Sequence, residues 1–250
     1  MKTDMRVVAP IQVRMGSSRL PGKSLMELAG KPMLEVLIER VSGASLLDEL
    51  AIATSQDAQD DPIADLGLRL GLRVFRGSEE DVLHRLVGAA ELLEGDVVVD
   101  LTGDNPFVDS DLIDQAVKGF FDSGCDYLHT SIQGTYPLGY VCQVYPLAHL
   151  REALIHSEPG SPHREHPNYY LYSDPERFKH STLDCPPHLN RPNIRLTVDY
   201  LEDLEMARAI FDGVAHGETD ISLSQIIDYL DRNPDVLKLN RDMEQKRVGE

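Results

Sequence analysis

Cysteine is scarce in this sequence, long apolar runs are missing, and cations are far outnumbered. The 250 residues contain only Cys125, Cys142 and Cys185, widely separated and without a C-x-x-C pair. An odd, dispersed set does not build a disulfide framework, so these are expected as buried, reduced thiols in a cytoplasmic protein. The first residues, MKTDMRVVAPIQV, contain no extended apolar core and enter a strand almost at once, which argues against a signal sequence or a membrane span. Lys and Arg number 24 against 42 Asp and Glu, a net charge of −18. Such an acidic surface repels nucleic acid and anionic membranes and excludes both as partners. Internal repeats and low-complexity tracts are also lacking.

One further absence points the other way. Between Met5 and Met26 there is no Asp or Glu, yet Arg6, Arg14, Arg19 and Lys23 are there. A cationic island in an acidic protein suits a small anionic ligand. Its core, RMGSSRLPGKSL (14–25), resembles a phosphate loop, but a Walker loop ending at Lys23 needs glycine at Ser17, and Gly16 stands one place too early. The amides of Gly16, Ser17 and Ser18 can form an anion nest. Arg14, Arg19 and Lys23, three cations in ten residues, can make charge-assisted hydrogen bonds and suit a triphosphate better than a monophosphate. Spacing alone leaves open a plain surface turn with solvated basic residues.

Around this loop, strand-like and helix-like runs alternate. Strands are expected at 7–13, 49–55, 72–77, 96–101 and 125–130, and helices at 32–43, 61–71, 78–93 and 109–124. Ser78 is read as the N-cap of the third helix, with Asp81 at its N3 position. This β-α-β rhythm means an α/β fold, with a mostly parallel Rossmann-like sheet covered on both faces. Residues 131–192 break the rhythm and are rich in Pro, Tyr and His. They are expected as a small lobe inserted into the single domain that spans 1–250. NIRLTVDY (193–200) reads as a returning strand, followed by helices at 201–214 and 222–234.

Two carboxylates stand at predicted strand ends. Asp104 follows a glycine turn in DLTGDNPFVD, and Asp199 ends RLTVDY. Flanking one cleft, they would make a Mg²⁺ pair, since Mg²⁺ takes one or two protein carboxylates and fills its shell with water and phosphate oxygens. Standing alone, Asp104 would read as a turn former, and Asp199 otherwise reads as a cap of the helix that follows. His163 and His166 lack further ligands at zinc spacing, so a structural or substrate-contact role is favoured over zinc.

Together these pieces resemble the cytidylyltransferases that activate sugar acids, above all the SpsF-like spore-coat polysaccharide group, with CMP-KDO and CMP-sialic acid synthetases as relatives. The carriers are IQVRMGSSRLPGKSL, GKPMLEVLIERV, IATSQDAQDDPI, VFRGSEEDVLHR, LTGDNPFVDSDLID, REH and RLTVDYLEDLEMA, running from residue 11 to 207.

The resemblance implies the A-type nucleotidyltransferase fold and Mg²⁺-dependent transfer of CMP from CTP to a sugar acid or related acidic acceptor, with release of pyrophosphate. It puts Arg14, Gly16, Ser17, Ser18, Arg19 and Lys23 on the CTP phosphates, with Arg76 and Ser78 in the nucleotide pocket. It gives Asp104 and Asp199 the metal, and makes these two with Arg14 and Lys23 the catalytic set. Tyr136, Gln143, Arg164, Glu165 and His166 fall on the acceptor side, and the 131–192 lobe becomes a homodimer contact. The group usually carries acidic residues at the positions of Val141 and Gln143 and a basic one at Asp100, departures that bear on the acceptor. Alternatives are a small phosphonate acceptor, a non-catalytic nucleotide-binding module, and a P-loop NTPase, the last opposed by Ser17.

Overall fold

The run VVAPIQ is apolar at all but its last position and too short for a helix, the pattern of a strand covered on both faces. In the computed structural model, which describes residues 4–130, 134–214 and 218–245, it forms β1 (Val7–Gln12). A short hairpin follows, β2 (Glu27–Leu28) with β3 (Lys31–Pro32), leading into α1 (Met33–Val41). Then come β4 (Glu49–Ser55), α2 (Asp61–Arg69), β5 (Arg73–Gly77), α3 (Val82–Leu92), β6 (Val97–Thr102) and α4 (Ser110–Ser123). β1 pairs with β4 on one side and β6 on the other, and β5 lies beyond β4, all in parallel.

The segment expected as an inserted lobe is woven into this sheet over its described residues; its first three, 131–133, lie outside them. After β7 (Tyr127–His129) the chain returns as β8 (Gln143–Pro146), which slots antiparallel between β6 and β7. It continues through α5 (Leu147–His156), α6 (Pro162–Glu165) and α7 (Tyr169–Tyr172) to β9 (His180–Thr182), which pairs parallel with β7. The seven-stranded order is β5-β4-β1-β6-β8-β7-β9. The chain ends in α8 (Leu201–Val214) and α9 (Leu223–Arg232), the latter opened by a Ser222–Gln225 capping box. None of the described helices is long and apolar enough to cross a membrane.

Two local expectations change. NIRLTVDY is not a strand: Arg195 makes one isolated bridge to Leu138, and the Val198 amide donates to the Asp104 carbonyl. β8 already fills the place beside β6, so this segment runs past the loop that follows β6 instead. Gly139 permits the contact, because it has φ +93° and a Cβ there would sit 2.3 Å from the Thr197 nitrogen. The N-cap of α3 is Asp81, not Ser78. The Asp81 carboxylate accepts from the His84 amide at 2.9 Å, while the Ser78 hydroxyl accepts from the Asp81 amide one turn earlier. Asp81 keeps a non-helical ψ of 83°, so the helix starts after it.

The sheet separates two apolar layers. The larger joins it to α1, α4, α8 and α9 and includes Phe107 stacked on Phe211 at 5.1 Å. The other joins it to α3 and α5 through Leu86, Tyr145 and Leu150. At about 1.5–3 kcal/mol for each fully buried large apolar side chain, these layers hold the strand ends still enough to carry a site.

Candidate active site

The loop after β1 gets its shape from a Pro-Gly pair. Pro21 and Gly22 occupy the central positions of a turn closed by the Lys23 amide on the Leu20 carbonyl, at 3.2 Å. Gly22 has φ 73° and ψ 10°, the left-handed geometry that a type II turn requires at that position. Buried Asp60 ties down the loop's start, accepting from the Met15 amide at 2.7 Å and from the Ser55 hydroxyl. The Ser17 amide is already used by the Met15 carbonyl at 2.8 Å, so it is not free for an anion. The turn sends Lys23 inward, where it is only 8% exposed.

There Lys23 joins the two predicted carboxylates. Its Nζ donates to Asp104 Oδ2 at 3.2 Å, Asp199 Oδ1 at 2.9 Å and the Val198 carbonyl at 2.7 Å. Arg19 reaches the same Asp199 oxygen at 2.7 Å. Arg195 donates to the other, Oδ2, at 2.8 Å. Burial alone would raise the Asp199 carboxyl, but Lys23, then Arg19 and Arg195, hold it below the usual carboxylate range. Asp104 is kept in place by the Thr102 hydroxyl, which donates to its Oδ1 at 2.7 Å. Two carboxylate oxygens from distant parts of the chain thus gather around one cationic centre. With water and phosphate oxygens completing the shell, that donor set fits Mg²⁺.

These residues lie in a cleft of about 770 Å³ at the carboxyl ends of β1 and β6, where open α/β sheets bind ligands and large enough for a nucleotide. Arg14, Gly16, Ser17, Ser18, Arg19 and Lys23 line it, together with Asp104 and Asp199. Glu165 and His166 line it as well. Arg14 is half-exposed and pairs loosely with Glu79, at 3.7 Å.

The other predicted residues are not in the lining. Arg76 spends its guanidinium on the Ser55 and Asp57 carbonyls and on Asp61. Ser78 caps the turn before α3. Tyr136 is buried and stacks on Tyr140 at 5.8 Å, its phenol pushed up to about 12 by burial. Gln143 accepts from the Tyr127 hydroxyl and the Asn168 amide, both at 2.6 Å. Arg164 bonds the Ser157 and Leu154 carbonyls and Asp81, docking α6 onto the start of α3. In that role it sets the position of Glu165 and His166 without facing the cleft.

Sequence reasoning missed Arg85, Gln12 and Tyr200, all in the lining. Arg85 is 3% exposed and held by the Ser78 and Glu79 carbonyls through Nη1, while its buried Nε has no partner among the described residues. Burial, with Arg14 nearby, lowers its pKa. It sits on α3, four residues after Asp81, and the quoted VFRGSEEDVLHR motif was the available signal. Arg195 and Asp203 also escaped notice, although Arg195, Asp199 and Asp203 recur every four residues.

Residues 8–247 match the family described as Cytidylyltransferase. The chain is 37% identical over 229 residues to the spore coat polysaccharide biosynthesis protein SpsF of Bacillus subtilis, covering 90% of this chain and 94% of the relative. It is 36% identical over 249 residues to the uncharacterized protein MJ1063 of Methanocaldococcus jannaschii, covering 98% and 99%. A solved cytidylyltransferase from Leptospira borgpetersenii superposes with a TM-score of 0.88 at 26% identity, covering 97% of this chain and all of the other.

Proposed function

The chain belongs to the cytidylyltransferase family, and from that premise we propose that it transfers CMP from CTP to a sugar acid or related acidic acceptor, with Mg²⁺ and release of pyrophosphate. The observation that carries this reading is the meeting of Asp104 and Asp199 on Lys23 beside an acid-free cationic loop. A saccharide-derived acceptor is supported by the similarity to SpsF, a spore coat polysaccharide biosynthesis protein.

Asp104 and Asp199 would hold Mg²⁺, which when bound polarises the α-phosphate and acidifies the attacking hydroxyl. The chain's own work is positioning and charge neutralisation. Arg19 and Lys23, now turned to carboxylates, transfer their hydrogen bonds to the β- and γ-phosphates when nucleotide enters. They stay there as the bond from the α-phosphorus to the bridging oxygen breaks and pyrophosphate leaves. Arg14 adds charge from the exposed side of the same loop. Arg85 adds a buried positive charge to the wall of the cleft. Glu165 and His166 line it on α6 and its C-cap and orient the acceptor.

The test is a pyrophosphate-release screen of the four nucleoside triphosphates against sugar acids and phosphonates. CTP-selective pyrophosphate release with a sugar acid supports the reading. Orthophosphate as the product would make the protein a hydrolase, and selectivity for phosphonates would replace the acceptor class. CTP binding without turnover across the panel would leave a nucleotide-binding module.

A further inference from the structure

Asp199 does not stand alone behind the loop. Its Oδ1 accepts from Lys23 and Arg19, and among the described residues its Oδ2 accepts from Arg195. Arg195 is 7% exposed and held on every side. Its Nε donates to Asp203 Oδ1 at 2.9 Å, its Nη1 to Gln245 Oε1 at 2.7 Å, and its carbonyl accepts from Asn240 at 3.0 Å. Asp203, 2% exposed, also accepts from the backbone amides of Asp199 and Tyr200 through Oδ2, at 2.9 and 3.0 Å, and from Asn240 through Oδ1 at 2.9 Å. One carboxylate thus fixes both the backbone of Asp199 and the guanidinium that grips its side chain.

We propose that Arg195, fixed by Asp203, is a positioning residue that keeps Asp199 a one-oxygen metal ligand and so favours Mg²⁺ over larger divalent ions. This rests on Asp104 and Asp199 as the metal pair. The four-residue spacing on the turn into α8 brings the three side chains together, and the last described residues of the chain, through Asn240 and Gln245, close over them. With Oδ2 committed to Arg195, Asp199 presents only Oδ1 to the cleft. Mg²⁺ needs only one or two carboxylate oxygens and completes its octahedron with water and phosphate oxygens, whereas Ca²⁺ takes six to eight ligands and readily uses a carboxylate bidentately. A buried ion pair is weak evidence of net stability, and what this one visibly fixes is the geometry of Asp199.

The test uses the full chain with Mn²⁺ and CTP, without acceptor. Bound Mn²⁺ is read by electron paramagnetic resonance and displaced by Mg²⁺ or Ca²⁺. Wild type, Arg195→Met, the near-isosteric Asp203→Asn, and Asp199→Asn are compared, with thermal melts to verify folding. Freeing Oδ2 should raise the effectiveness of Ca²⁺ relative to Mg²⁺ by at least about threefold in Arg195→Met, and in the same direction in Asp203→Asn. A purely structural role would lower the melting temperature and leave that ratio alone. An unchanged ratio in the folded variants, with Mn²⁺ still lost in Asp199→Asn, overturns the inference and spares the proposed function. Should Arg195→Met not fold, Asp203→Asn decides. Normal Mn²⁺ binding by Asp199→Asn would overturn both.

Discussion

Lys23→Met removes the cation that holds the two candidate metal ligands together, while keeping most of the side chain's length. Asp199 keeps Arg19 and Arg195, but Asp104 loses its one ion pair among the described residues. Removing one member of a buried ion pair costs about 3–5 kcal/mol. Water reaches Asp104, whose side chain is 30% exposed, and Asp199 retains two arginines, so the loss should fall to about 1–3 kcal/mol. For a chain of this size that is a fall in melting temperature of roughly 2–12 °C. The acid limb should move too. A carboxyl held low in the folded state adds stability above the unfolded carboxylate pKa, and that stability is lost as pH falls through the folded value. With Lys23 gone the Asp199 carboxyl rises, so acid unfolding begins at higher pH. CTP should weaken by about 1.5–3 kcal/mol, roughly 10- to 150-fold, and CMP far less. Circular-dichroism melts across pH 3–8 and calorimetric titration with both nucleotides read these effects. A variant as stable as wild type throughout, or one losing CTP and CMP affinity equally, would refute the reasoning.

Asp104→Asn and Asp199→Asn should each lower turnover by at least about 10²-fold, measured as pyrophosphate release at saturating Mg²⁺. Only Asp199→Asn should also lose stability, because it leaves Lys23, Arg19 and Arg195 facing a neutral amide. Asp100 is buried beneath Tyr145 and Gln12, and burial raises its carboxyl above the usual range. Such a group charges at a cost as pH rises through its folded value, so Asp100→Asn should gain stability relative to wild type between acid and neutral pH. Equal pH dependence of the two melts would count against that. The protein should be a homodimer by light scattering at micromolar concentration, and a clean ~28 kDa species would exclude it. His166→Ala should change acceptor KM at unchanged CTP affinity, and a change in CTP affinity instead would assign His166 to the nucleotide.

Much of the architecture was written locally. The strand runs of β1, β4, β5 and β6 and the helices between them depend on period and on end signals such as Pro32, Asp109 and Gly124, which act over a few residues. The loop's identity was legible for the same reason: Pro21, Gly22 and Lys23 specify a turn and its charge within four residues. That Asp104 and Asp199 stand at one cleft was legible from residue type and motif. What no local rule contained was their partners. Lys23 meets Asp199 across 176 positions, and Asp81 meets Arg164 across 83. Such contacts exist only once the sheet order is set, because side chains meet where packing brings strand ends together, whatever their distance in sequence. The same cause inserts β8 between β6 and β7, turns NIRLTVDY out of the sheet, and draws Arg76 and Gln143 away from the cleft. Residue types and spacing determined the cations, the carboxylates and the turn. The tertiary fold alone decided which cation faces which carboxylate, since ion-pair energy depends on separation and burial and neither is a property of sequence position.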